Sequence, residues 1–75
     1  MTEHTSKLHQ IVEKVAKKPV DSGLIESGAS FQEIGLDSLA LAELTVRVEQ
    51  EWGVDVFADG VISGIGELKE RIGIE

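Results

Sequence analysis

The sequence predicts an all-α domain: a small antiparallel bundle of three main helices, with a long loop between the first two. Three observations lead there. Apolar residues recur every three or four positions in three separate segments, which is the period of a helix buried on one side. Glycine and proline punctuate the stretches between those segments. The longest pattern opens on Gly35-Leu36-Asp37-Ser38-Leu39, where a glycine turn delivers an acid and a hydroxyl to the point at which a helix would begin.

Taken in order, Leu8, Ile11, Val12 and Val15 follow i, i+3, i+4, i+7 and predict a first helix from about Thr5 to Lys17. Lys14, Lys17 and Lys18 suit the negative end of its dipole, better placed there than as ligand contacts near Ser38, and Pro19 stops it. From Val20 to Leu36 no period is sustained and glycines stand at 23, 28 and 35, so this stretch reads as a long ordered loop. Leu24, Ile25, Phe31 and Ile34 are apolar enough to pin it to the core. Within it, Ser30-Phe31-Gln32-Glu33 has the form of a capping box and predicts one short helical turn.

The longest helix is predicted from Ser38 to Trp52, a rod of roughly 22 Å at 1.5 Å per residue. Leu41, Leu44, Val48 and Trp52 define its apolar side, with Ala42 and Thr45 beside them, while Glu43, Arg47, Gln50 and Glu51 face water. Gly53 is the expected C-cap, and Val54 to Phe57 is extended or irregular. The last helix should begin near Ser63 or Gly64 and turn Ile65, Leu68 and Ile72 inward, with Glu67, Lys69, Glu70 and Arg71 outward. Gly64 and Gly66 weaken its first turn, each costing roughly 1 kcal/mol relative to alanine.

Seventy-five residues allow one domain, 1–75, with a modest core. No cysteine is present, which excludes a disulfide framework, a thiolate metal site and a cysteine nucleophile. No apolar run is long enough to span a bilayer, and Met1-Thr2-Glu3-His4 lacks an export pattern, so a soluble, cytoplasmic monomer is expected. A start at Met1 with little flanking chain suggests a free-standing protein, although a domain excised from a larger synthase would look the same. Seven Lys and Arg against fourteen acids give a formal charge of −7, which argues against nucleic acid as a partner. The same charge favours encounters with basic protein surfaces.

Enzymatic readings find little purchase. There is no Gly-x-Ser-x-Gly elbow, and His4 and His9 read as solvent-facing residues with no triad partner. Glu49 and Glu51 stand two apart on a helix and do not face each other. Asp55, Asp59 and Gly60 occupy positions 1, 5 and 6 of a calcium loop, yet position 3 is Phe57 and position 12 is Gly66. Gly64-Ile65-Gly66 lacks the third glycine of a dinucleotide fingerprint. No catalytic residue and no metal-ligand set is assigned.

Gly-x-Asp-Ser-Leu, followed by Glu43-Leu44 within a helix that ends on Trp52, resembles the acyl carrier protein family. Phe31-Gln32-Glu33-Ile34 upstream and Ile62, Ile65, Leu68 and Ile72 downstream extend the resemblance over nearly the whole chain. It implies that Ser38 bears 4'-phosphopantetheine derived from coenzyme A, and that the protein is a non-catalytic carrier. A helix N-terminus suits that role, because unpaired N–H groups and the positive dipole end favour a phosphodiester. The commoner fate of an acid or serine there is simply to cap the helix.

The resemblance further implies partner contacts at Asp37, Leu39, Glu43, Val46 and Glu49, and a short third helix between Phe57 and Ile62. An acyl chain folded into the interior would meet Thr45, Val48, Val56, Ile62 and Leu68, which are first of all core residues. The implied partners are a phosphopantetheinyl transferase, an acyl- or aminoacyl-loading enzyme, and a ketosynthase, condensation or other acyl-processing enzyme. Ala40, Arg47 and Gln50 make the second main helix less acidic than in many fatty-acid carriers, which inclines the reading towards polyketide, peptide or another specialised acyl pathway. The competing reading is a small acidic adaptor that binds a basic protein unmodified.

Overall fold

The computed structural model describes residues 3–58 and 60–74. Five helices follow one another: α1 (Glu3–Ala16), α2 (Ser22–Glu26), α3 (Phe31–Ile34), α4 (Ser38–Trp52) and α5 (Ile65–Ile72). Among the described residues there is no strand, only one isolated antiparallel bridge between Ser30 and Gly64. The molecule is an all-α bundle, as the periodicity predicts.

α1 packs principally against α4, and three contacts fix their sense. Trp52 Nε1, at the end of α4, donates to His4 Nδ1 at the start of α1, at 3.3 Å. Lys7 pairs with Glu51 at 3.7 Å. At the opposite end, Val15 and Lys17 share a cleft with Asp37 and Leu39. The two helices are therefore antiparallel.

Leu8, Val12, Ile25, Leu44, Val48, Val56, Ile65 and Leu68 are fully buried and form the centre of the core. Ile25, Phe31 and Ile34 tie the long connection down as expected, and Val20, Ala29 and Leu36 are buried with them. Ala42 differs from expectation and is exposed, one step round α4 from the buried stripe. α1 ends at Ala16 because Lys17 turns left-handed, at φ 59°, before the Lys18-Pro19 pair, where proline disfavours a helical predecessor.

The connection from Val20 to Leu36 is more structured than a loop. Asp21 caps α2 by accepting the Gly23 N–H at 2.8 Å. Ser30 and Glu33 complete the predicted capping box of α3, and Gly35, left-handed at φ 91°, ends it. The segment Phe57–Ile62 is not a helix in its described residues. Turns close there from Ala58 N to Asp55 O and from Gly60 N to Phe57 O, each at 3.2 Å, while Asp59 lies outside the described residues. Glycine at 60, held at φ 120°, belongs to a turn that a helix cannot accommodate.

The glycines at the start of α5 serve a close crossing. Ile65 N donates to Ala29 O at 2.9 Å and Phe31 N to Ser63 O at 3.0 Å, which clamps α5 onto the connection. A Cβ on Gly64 would lie 2.7 Å from Ala29 O, and one on Gly28 would lie 3.1 Å from Gly66 Cα. Arg71 also departs from its expected outward course: half-buried, it donates from Nη1 to Val56 O at 3.0 Å and ties α5 to the segment after α4.

Candidate functional site

Residues 35–39 are assembled by two consecutive helix boundaries. Gly35 N donates to Phe31 O and Gln32 O, closing α3, and Leu36 is buried beneath. Asp37 then takes an extended conformation as the N-cap of α4 and accepts the Ala40 N–H at 2.8 Å, while its carbonyl accepts from Leu41 N at 2.9 Å. Capping falls to Asp37 and not to Ser38. Ser38 is the first helical residue, exposed, and its hydroxyl has no hydrogen-bond partner among the described residues.

Other serines contrast with it. The Ser30 hydroxyl serves a capping box, Ser63 Oγ donates to Glu67 at 2.6 Å, and Ser27 Oγ donates to Leu24 O at 3.3 Å. Ser22 also follows a capping aspartate, but its helix has five residues and a glycine next in sequence, against fifteen residues in α4. The longer helix has the fuller dipole and the more rigid N-terminus.

Around Ser38 lie the residues expected to meet partners, in distinct situations. Leu39 is 80% exposed and Val46 is 56% exposed, two turns further along the same face of α4. Neither packs into the core, so the bland reading of both as interior residues does not hold. Glu43 and Glu49 are exposed too, but Glu43 already holds Arg47 Nε at 3.1 Å. Asp37 is partly committed to its cap. Val61, 88% exposed, is a further bare apolar side chain in the segment that follows α4, one that apolar periodicity does not single out.

Lysines stand nearer the site than the sequence suggests. Lys17 lines a cleft of about 190 Å³ together with Gly35, Asp37, Leu39, Ala40 and Glu43, and Lys18 Nζ lies 2.9 Å from where a Gly35 Cβ would be. The left-handed turn at Lys17 brings them there, a signal no helical spacing contains. Of the residues expected to line an acyl cavity, Val48, Val56, Ile62 and Leu68 are buried in the core. Thr45 is half-buried and donates its hydroxyl to Leu41 O at 2.9 Å.

His9 is not a plain solvent-facing residue either. Its Nε2 lies 2.6 Å from Val20 O, while Glu13 accepts the Val20 N–H at 2.8 Å, so both backbone polar groups of Val20 are held from α1. The histidines brace the fold and sit away from Ser38.

A fifteen-residue helix thus offers an uncommitted hydroxyl at its N-terminus, with bare apolar side chains and carboxylates along the face beside it. The family model described as "phosphopantetheine attachment site" matches residues 6–72. The chain belongs to that family, the acyl and peptidyl carrier proteins, and is a carrier protein bearing phosphopantetheine. The group is 4'-phosphopantetheine, attached covalently. No curated protein and no solved structure matches the chain. Domains of this family are in general carriers without catalytic activity, served by a phosphopantetheinyl transferase and by acyl-processing enzymes. No helix among the described residues is long and apolar enough to cross a membrane.

Proposed function

We propose that Ser38 is the attachment residue and that the protein carries acyl or aminoacyl groups as thioesters on the arm it bears. The single observation that supports this most is the division of labour at the start of α4. Asp37 satisfies the helix terminus and leaves the exposed Ser38 hydroxyl uncommitted. A phosphodiester there would lie beside the first N–H groups of the helix, whose dipole favours an anion. The arm supplies the thiol chemistry, so a chain without cysteine still carries a thioester. This chain's residues present the serine and meet its partners.

In this reading the transferase provides the metal and base, and Leu39, Val46, Glu43, Glu49 and Asp37 form the surface it and later enzymes touch. The reading leans towards a cargo of a polyketide, peptide or other specialised acyl pathway, because Arg47 pairs with Glu43 and Ala40 and Gln50 carry no charge, which leaves this helix less acidic than in many fatty-acid carriers. Incubation with coenzyme A, magnesium and a phosphopantetheinyl transferase, followed by intact mass and peptide mapping, tests it. The expected result is one phosphopantetheine on the peptide containing Ser38, none on Ser38→Ala, and normal loading of Ser22→Ala. An unmodified wild-type protein would instead favour the acidic adaptor.

A further inference from the structure

We propose that the outer side of α1, where it meets α4, is a second docking surface, and that its occupant is an acidic, extended protein segment. The protein is strongly acidic, yet five of its seven Lys and Arg residues, Lys7, Lys14, Lys17, Lys18 and Arg47, lie on or just after α1 or on α4 where it faces α1. A groove of about 190 Å³ runs between the two helices, with Lys7, Gln10, Lys14 and Arg47 on its walls, Glu51 the one carboxylate, and Ile11 beneath. A more open depression shares Gln10 and Lys14 and continues the groove past Glu13 to Lys18 and Pro19.

The acids beside this surface offset only part of its charge, since Lys14, Lys17 and Lys18 are left without a carboxylate partner among the described residues. Glu13 turns inward to the Val20 N–H, Glu43 holds Arg47 by Nε, and Glu51 pairs with Lys7. The result is a basic stripe on an acidic body. Its own net charge repels nucleic acid at long range, while a short acidic segment meets only the local field. Lys7 and Lys14 are about 10 Å apart along the helix, the length of roughly three residues of extended chain. A segment with acids at alternate positions would present carboxylates to Lys7 in exchange for Glu51, to the unpaired Lys14 and to the free edge of Arg47, with the amide of Gln10 between them.

Titration of the ¹⁵N-labelled full chain with the synthetic peptide Glu-Leu-Glu-Leu-Glu-Glu, against its Gln-for-Glu counterpart, tests the proposal. Saturable amide shifts are expected at Lys7, Gln10, Lys14 and Arg47 with the acidic peptide only, weakening as salt is raised. Lys14→Glu should lower the affinity about five-fold or more, by losing one exposed ion pair and gaining a repulsion. Ser38→Ala should bind the peptide as the wild type does, so the outcome is independent of whether Ser38 is the attachment residue. Equal binding of the neutral peptide, shifts centred on Leu39 and Val46, an unaffected Lys14→Glu variant, or self-association of the chain without peptide would each overturn it.

Discussion

The carboxylate of Asp37 accepts the Ala40 N–H at 2.8 Å and spans Ser38 in doing so, so the residue beside the serine holds the helix that presents it. Replacing Asp37 with alanine should cost about 1 kcal/mol, the usual loss for an N-cap, and lower the melting temperature by roughly 4–8 °C in a domain of this size. Asp37→Ser should restore most of that stability. If loading by the transferase falls in Asp37→Ala but recovers in Asp37→Ser, presentation is what matters; if it stays low in both, the acid itself is read by the partner.

Glu43 and Arg47 form an exposed i, i+4 pair. Either substitution by glutamine should change stability by no more than about 0.5 kcal/mol in thermal melts. Their effects on loading should be opposite in sign. Glu43→Gln removes an acid that a basic enzyme would meet and raises the transferase KM, whereas Arg47→Gln releases that acid and lowers it.

Gly64 should be nearly irreplaceable despite its extended backbone, because an added Cβ would strike Ala29 O and Ser30 Cα. Gly64→Ala is expected to destabilise by about 1–3 kcal/mol through forced separation of α5 from the connection. Gly53→Ala tests a different cause. Nothing lies within 4 Å of its added Cβ, so its cost of about 1–2 kcal/mol comes from the left-handed backbone alone. Urea denaturation of both, with Gly53→Asn recovering part of the loss where Gly64→Asn does not, separates the two.

The carboxyl of Glu67 is held below the ordinary glutamate range, chiefly by the Ser63 hydroxyl at 2.6 Å, then by the Ser63 N–H, against a small opposing desolvation and with help from Arg71. A depressed value in the folded state means this contact stabilises at neutral pH, where the unfolded chain is also ionised. The stabilisation is lost as pH falls from the ordinary range through the lowered value. An NMR titration of the Glu67 side chain should show the depression in wild type and a smaller one in Ser63→Ala, which keeps the backbone N–H at position 63 and Arg71.

Much of this was legible from spacing. The three main helices, the capping box at Ser30, the C-cap at Gly53 and the placement of Ser38 all follow from residues that interact with near neighbours, and such signals survive without tertiary information. Contacts between distant segments were not legible. Nothing local in Gly28, Gly64 or Gly66 says that two backbones cross there; read singly, they only weaken a helix. Arg71 reaching Val56, His9 and Glu13 gripping Val20, and the lysines brought to Gly35 by a left-handed turn at Lys17 are of the same kind. The helix implied between Phe57 and Ile62 is replaced by turns, and Gly60 is the local sign of that.

Leu39 and Val46 stay in water because α4 has no neighbour on that side. Two aliphatic side chains are a small footing: at about 25 cal/mol per Å² their burial drives association, but an interface built around so little area belongs to the brief, easily broken kind. A protein that hands its cargo from one enzyme to the next must let go as readily as it binds. For the docking on this face proposed above, the bareness of α4 would limit how long a partner stays, and a short residence is what sequential delivery requires.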